Sequence, residues 1–513
     1  MRQVFPIELT GRINRVDPPN KIEDGEVLFR ENFIVIGTGT EKTNRKIPGA
    51  DRFSDTDTGT SYVWGTRYYS INNLRKTFSF NNGRIYHIDD NGVESLLAPI
   101  FAPTAIPCHE SMKVSSENVL YFSEGINTGM YSHDGNISNV FIKELSVTLN
   151  FVGLLGHLDR MFGFEEDSED LYFSKNLDPT NFTDSTDAGV ITIGPRRGAK
   201  IIAIKILYGT IYIIKQDSIW RLTGKSPAEF SVEEVHPYLG GVGRRTVQNT
   251  DKGIIFMGSD FEFYFFAGTV ESTVLLTSKL LIGGDLTKNV LPIINRDMVD
   301  KFVSIYHNNT YRCSMVENGG VSNTIEYCFN TINKTDHITR SFNISCYIKW
   351  DRFPDKGELL TGRTDLGRLM KMNLGFNVDN GATSPSMPFK LQSKFVGSDE
   401  PRNIRFKRAF FGCRVWGAEP VKAFYSLDCR NTRSDFGSDE WPTRGENKNQ
   451  TFINLSAQDA ITGRVNLDYG KSKGQNISFL IDNNSRDVDF ELSKIQVEGI
   501  VASTLKKSQK VAA

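Results

Sequence analysis

The feature that most restricts the fold of this chain is a hairpin-like string that recurs along it. It is written most plainly as GTIYIIKQDSIWRLTG over Gly209–Gly224 and as GIIFMGSDFEFYFFAG over Gly253–Gly268. Each copy holds two β-branched and aromatic runs around a short polar turn, and such runs fit a pleated, packed surface better than a helix. The full set is Lys76–Ile88 around Asn81-Asn82-Gly83, Asn118–Ser132, Leu154–Ser174, Ile201–Leu222, Ile254–Phe266, Phe302–Met315 around Asn308-Asn309, and Leu359–Met372, about seven hairpins. Their start-to-start spacing, roughly 35 to 60 residues, overlaps the period of four-stranded propeller blades. The expected fold is all-β, with a β-propeller of about six blades over residues 51–375; a blade that contributes two hairpins would change that number.

The flanks read differently. Residues 1–50 have the texture of an irregular N-terminal arm, with turn signals at Asp17-Pro18-Pro19-Asn20 and Asp24-Gly25 and one short strand at Asn32–Ile36. Near residues 280–297, Leu286, Val290, Leu291 and Ile294 recur at helical spacing, which predicts a short helical insertion with Asp285 as its N-cap. Beyond Pro385, seven strand candidates follow: Phe389–Phe395, Phe406–Val415, Val421–Asp428, Gln450–Leu455, Arg464–Asp468, Ile477–Ile481 and Val488–Gly499. Their alternation predicts a C-terminal β-sandwich domain over residues 386–500. Residues 501–513 form a polar, basic tail, expected to be flexible.

At 513 residues the chain is too long for one compact core, and its 39% hydrophobic residues supply several. Lys+Arg 60 against Asp+Glu 61 leaves a net charge of -1, which argues against a dedicated nucleic-acid or anionic-membrane binder. The opening MRQVFPIELTGRINRVDPPN has no apolar h-region, so no secretory signal is expected. No run reaches the roughly 18 apolar residues of a membrane helix. Cys108, Cys313, Cys328, Cys346, Cys413 and Cys429 are scattered without a CxxC pair, which reads as reduced core thiols.

Catalytic and metal-binding patterns are sparse. The seven histidines form no HExxH or HxH, and no Cys/His spacing suits a metal, so no cofactor is expected. Gly37–Thr43 evokes a phosphate loop, but Glu41 stands where a glycine is required. Gly240-Gly241-Val242-Gly243 before Arg244-Arg245 reads either as an anion cradle or as a link between blades. The acids Glu165, Glu166, Asp167, Glu169 and Asp170 crowd one hairpin tip without the facing pair that glycoside hydrolysis needs.

Several stretches, taken in order, resemble one known family. Leu155-Gly156-His157-Leu158-Asp159-Arg160-Met161-Phe162-Gly163 runs into Leu171-Tyr172-Phe173-Ser174 and then Leu177-Asp178-Pro179-Thr180-Asn181-Phe182. Ile201–Gly224 and Gly240–Gly268 follow as the next blades. Gly11-Arg12-Ile13-Asn14-Arg15-Val16-Asp17-Pro18-Pro19 is similar to that family's N-terminal arm, and Leu359–Asn373 with Lys390–Phe411 resembles its exit into the sandwich. The family is the tail nozzle or hub, also called packaged-DNA stabilisation protein, of short-tailed bacteriophages. The resemblance implies a structural virion protein of the tail and not an enzyme, made in the bacterial host cytoplasm. It implies a homohexameric ring that continues the channel of the portal-adaptor connector, retains packaged double-stranded DNA, guides its ejection and contacts tail fibres or spikes. Local charge adds Arg196, Arg197, Arg244 and Arg245 as candidate contacts to DNA or adaptor, with Arg402, Arg405, Lys407 and Arg408 as a further basic group. The competing readings are a carbohydrate-binding or depolymerising tail propeller, and a minor tail protein that forms no ring.

Overall fold

The computed structural model describes the chain apart from residues 1, 18–20, 38–41, 49, 55–62, 70–74, 82, 100–106, 115–116, 124, 126–129, 134–141, 144–148, 195–197, 286, 288–290, 341, 351–357, 365–367, 373–386, 398–403, 417–420, 428–460, 468–472, 484–488 and 502–513. Among the described residues, seven sets of four antiparallel strands follow one another along the chain. Blade 1 begins at Val63, blade 2 at Cys108, blade 3 at Phe151, blade 4 at Ile201, blade 5 at Gln248, blade 6 at Val303 and blade 7 at Ile344. The first strands of successive blades touch from blade 2 round to blade 7, and blade 7 returns to blade 1. This is a closed β-propeller of seven blades, one more than the expected six. Each of the seven hairpins in the sequence became one blade, so none contributed two.

Local chemistry explains the blades. In blade 4 the strands Ile201–Leu207 and Thr210–Lys215 pair with Leu207 opposite Thr210, which leaves a two-residue turn. Tyr208 and Gly209 both hold positive φ, 52° and 76°, the backbone that two-residue hairpins require. The same turn recurs at Leu158-Asp159 in blade 3 (49° and 56°) and at Asn308-Asn309 in blade 6 (46° and 57°). Side chains alternate between the two neighbouring blades. Ile213, Ile254, Phe256 and Phe266 are wholly buried, and the Tyr212 and Phe266 rings meet edge-on at 5.5 Å between blades 4 and 5. Each such side chain contributes about 1.5–3 kcal/mol by leaving water.

Residues 1–50 are not an irregular arm. They supply five strands: β1 (Arg2–Ile7), β2 (Val27–Glu31), β3 (Phe33–Ile36), β4 (Thr43–Lys46) and β5 (Ala50–Arg52). β5 is the fourth strand of blade 7, pairing Ala50 with Met372 and Arg52 with Met370, so the ring is closed by the N-terminal segment. β2 lies parallel to the last strand of blade 6 (Glu31 opposite Ile338) and antiparallel to Phe389–Ser393. Blade 6 therefore runs without a break into a second layer of strands.

That layer is half of the C-terminal sandwich. One sheet contains β2, Phe389–Ser393, Asn476–Asn483, Val396–Gly397 and Lys422–Leu427. The facing sheet is built on Asp489–Val501 and Ile404–Trp416, with β1, β3, β4, Ile461–Asn466 and Lys473–Gly474 added to it. Phe389 stacks on Phe490 at 5.6 Å, and Phe411 meets Phe479 edge-on at 5.6 Å, across the two layers. The strand expected at Gln450–Leu455 and the tail after Val501 lie outside the described residues.

The insertion after blade 5 also differs from expectation. Leu286 and Val290 lie outside the described residues, but Leu291 and Ile294 are not helical. Ile293 N–H donates to the Ile282 carbonyl at 2.9 Å, and Ile294 forms a bridge with Glu317. A 3-10 turn follows at Arg296–Lys301, capped by Asn295. Pro292 lacks an N–H donor inside the expected helix, and the bridge to blade 6 holds the segment extended. Asp285 does accept the Thr287 N–H at 2.9 Å, while Leu286 and residues 288–290 lie outside the described residues.

Candidate functional site

The first strands of the blades surround an axial cavity of about 680 Å³. Strands within a blade alternate in direction. The start of each first strand and the turn between the second and third strands therefore lie on the same rim. Arg244 and Arg245 sit on that rim, in a 3-10 turn (Arg244–Thr246) just before blade 5, and both line the cavity. Glu166 reaches the cavity from the second turn of blade 3, and Asp300 from the approach to blade 6.

The turn carrying the two arginines is fixed from beneath. Gly243 enters it with φ 70°. The Thr246 hydroxyl donates to the Gly243 carbonyl at 2.8 Å, and the Tyr311 hydroxyl donates to the Thr246 carbonyl at 2.6 Å. The preceding glycines serve close packing: a Cβ on Gly240 would lie 2.1 Å from the Gln216 carbonyl carbon, and Gly241 N–H donates to the Lys215 carbonyl at 2.8 Å. They read as a tight link between blades 4 and 5.

Each arginine is engaged within the subunit. Arg244 pairs with Glu166, whose other oxygen lies 4.0 Å from Lys200. Arg245 Nη2 donates to the Asp300 carbonyl at 2.7 Å, and the Ser304 hydroxyl donates to the Arg245 carbonyl at 2.6 Å. Burial, with Arg244 alongside, lowers the Arg245 pKa to about 9. Arg196 and Arg197 lie outside the described residues, and so do Pro401–Asn403, including Arg402.

Deeper in the cavity are charged groups that motif reading passed over: His109 and Glu110 from blade 2, Lys205 from blade 4 and Lys349 from blade 7. Burial pushes Glu110 up to about 7, against the pull of Lys205, and pushes His109 down to about 4. It also lowers Lys205, aided by Lys349. The signal for Lys205 was a charge inside an otherwise apolar first strand, IIAIKIL over Ile201–Leu207, whereas His109 and Glu110 sit in a polar one, CHESMKV over Cys108–Val114. No cluster of three or more potential metal ligands occurs among the described residues. Cys108 lines the cavity as a thiol whose pKa burial pushes up to about 12, and so it is a poor nucleophile at neutral pH.

No family model matches the chain, and no curated protein matches its sequence. Among solved structures, virginiamycin B lyase from Staphylococcus aureus is similar over 63% of this chain and 97% of its own, with 11% identity and a TM-score of 0.40. BBS1N in complex with ARL6DN is similar over 69% of this chain and 99% of its own (8% identity, TM-score 0.40), and YCF48 bound to D1 peptide over 66% and 100% (10%, 0.39). These are β-propeller proteins of varied function, and at such identity they bear on fold alone. The fold itself is read from strand order: a seven-bladed β-propeller whose sixth blade continues into a β-sandwich.

Proposed function

We propose that this chain is a structural subunit of a bacteriophage tail nozzle or hub, assembling as a homohexameric ring that continues the portal-adaptor channel. Its role is to help retain packaged DNA, to guide its ejection and to hold fibres or spikes outside. The observation that carries this reading is the continuous sheet from blade 6 through β2 into the sandwich. A ring that bears load from confined DNA needs subunits that do not hinge, and two units sharing a sheet resist hinging more than two joined by a linker. The ordered resemblance from Gly11 to Phe411 supports the same assignment.

A cavity of 680 Å³ matches a small-molecule pocket rather than a conduit for a duplex. The DNA channel in this proposal is therefore the lumen between subunits. Arg244 and Arg245, on one propeller face, would meet adaptor or DNA from that face. Electron microscopy of purified particles, and of recombinant protein mixed with adaptor, tests the assignment. A sixfold ring at the end of the tail is expected. A monomer decorating a fibre, or cleavage of a host glycan, would overturn it.

A further inference from the structure

Among the described residues, the axial cavity presents more cations than carboxylates, and the geometry points to a binding site there for a small multivalent oxyanion. Four cations face the space: Arg244 and Arg245 at the rim, Lys205 and Lys349 further in. Opposing them are Glu166 and Asp300 at the rim and Glu110 inside. Glu166 pairs with Arg244, while Lys200, 4.0 Å from its other oxygen, is held by Asp167 at 2.7 Å. Arg244 Nε is buried and has no hydrogen-bond partner among the described residues. The wall between these groups is apolar, with Leu154, Phe164, Ile204, Val303 and Ile348 among the lining residues. Low-dielectric walls concentrate the field of the cations within the space.

Two cationic pairs at two depths select a ligand with more than one acidic group. A monovalent anion would satisfy one pair only. A volume of about 680 Å³ admits citrate or pyrophosphate with accompanying water and excludes a nucleic-acid duplex. This inference does not depend on the ring assignment, because the cavity lies within one subunit.

Calorimetric titration of the full chain with pyrophosphate and with citrate, against acetate at matched ionic strength, tests it. Binding of at least one multivalent probe is expected, with acetate inert and with affinity falling as salt is added. Arg244→Gln combined with Arg245→Gln should weaken binding at least about tenfold. Lys349→Gln should weaken it about threefold, and Glu110→Gln should tighten it about threefold, since each changes one charge facing the ligand. Arg245 also anchors the rim turn, so Lys349→Gln and Glu110→Gln carry the test should the double variant fold poorly. Failure of both multivalent probes to bind overturns the proposal. Binding that none of the variants alters overturns it equally.

Discussion

Blade 4 and the seam between blade 6 and the sandwich are both made of paired strands, yet they are held by opposite means. In blade 4 every partner is a neighbour in sequence, as Ile213 is opposite Trp220, and the contacts are mainly apolar, with Ile213, Ile214 and Ile219 wholly buried and one buried cation, Lys215, paired with Glu169. At the seam the partners are hundreds of residues apart, and the contacts are charged. Asp336 is fully buried; its carboxylate accepts the Ile13 N–H at 2.8 Å and Arg12 at 3.2 Å, while its carbonyl accepts Arg30 at 3.0 Å. Arg340 reaches Glu31 across the same joint and Glu317 within blade 6. An apolar face accepts many partners of the same shape, whereas a buried guanidinium needs its own acceptors. Here the charges serve to fix which distant segment docks where, which short turns already do in the blades.

The largest expected effect tests that contrast directly. Asp336→Ala removes the buried carboxylate that accepts from Arg12 and from the Ile13 N–H, and should cost about 3–5 kcal/mol in denaturant unfolding. A cost below 1 kcal/mol would mean that the seam is held by its aromatic layer instead. Next, Gly240→Ala forces a Cβ into the backbone of Gln216 and Asp217 and should cost about 3 kcal/mol. Its effect should concentrate on hydrogen exchange in blades 4 and 5, with the sandwich unchanged.

A pH experiment comes third. Glu262 is buried, and the loss of solvent raises its pKa to about 7 despite donation from Ile282 and Gly283 N–H groups at 3.1 and 2.7 Å. Between its ordinary value near 4.5 and 7, the folded chain holds a proton that the unfolded chain releases. The stabilisation is complete below about 4.5 and is lost as pH rises through 7, a change of about 3 kcal/mol at this site. Glu262→Gln should flatten the stability profile across that window, and an unchanged slope would assign the proton elsewhere. The smallest effect belongs to the exposed pair Arg221–Glu233 on the outer strands of blade 4. Arg221→Ala should cost less than about 1 kcal/mol, because solvent screens that pair.

The same contrast decides what was legible beforehand. Each blade hairpin carries its own partner and turn, so seven apolar pairs marked seven blades; the lower expectation came from not knowing that each stood alone. Leu158 and Tyr208 hid their turns, because nothing in either side chain advertises a left-handed backbone. β4 reads TNRK, with no apolar alternation, and becomes a strand because Asp489–Val501 offers it an edge. β1 contains Pro6, which demotes a strand on sequence grounds and is tolerated at a sheet edge. The spacing around Leu286–Ile294 suggested a helix, but the bridge from Ile294 to Glu317 prevailed over periodicity. At the site, the adjacent Arg244-Arg245 stood out in the text. His109, Glu110, Lys205 and Lys349 did not, because only ring closure brings three separate first strands to one axis.

Ring closure by β5 also sets an order in time. Residues 50–52 leave the ribosome first among the propeller strands, yet their partner at Met370–Met372 is made more than three hundred residues later. Blades 2 to 5 can form as they emerge, while the first fifty residues wait with their strand edges open. The polar makeup of Thr43–Lys46 and the proline in β1 suit that interval, since both discourage adventitious pairing. The segment synthesised first is thus among the last to be fixed, and a nascent chain arrested before Met372 should hold an open, unlatched arc of blades.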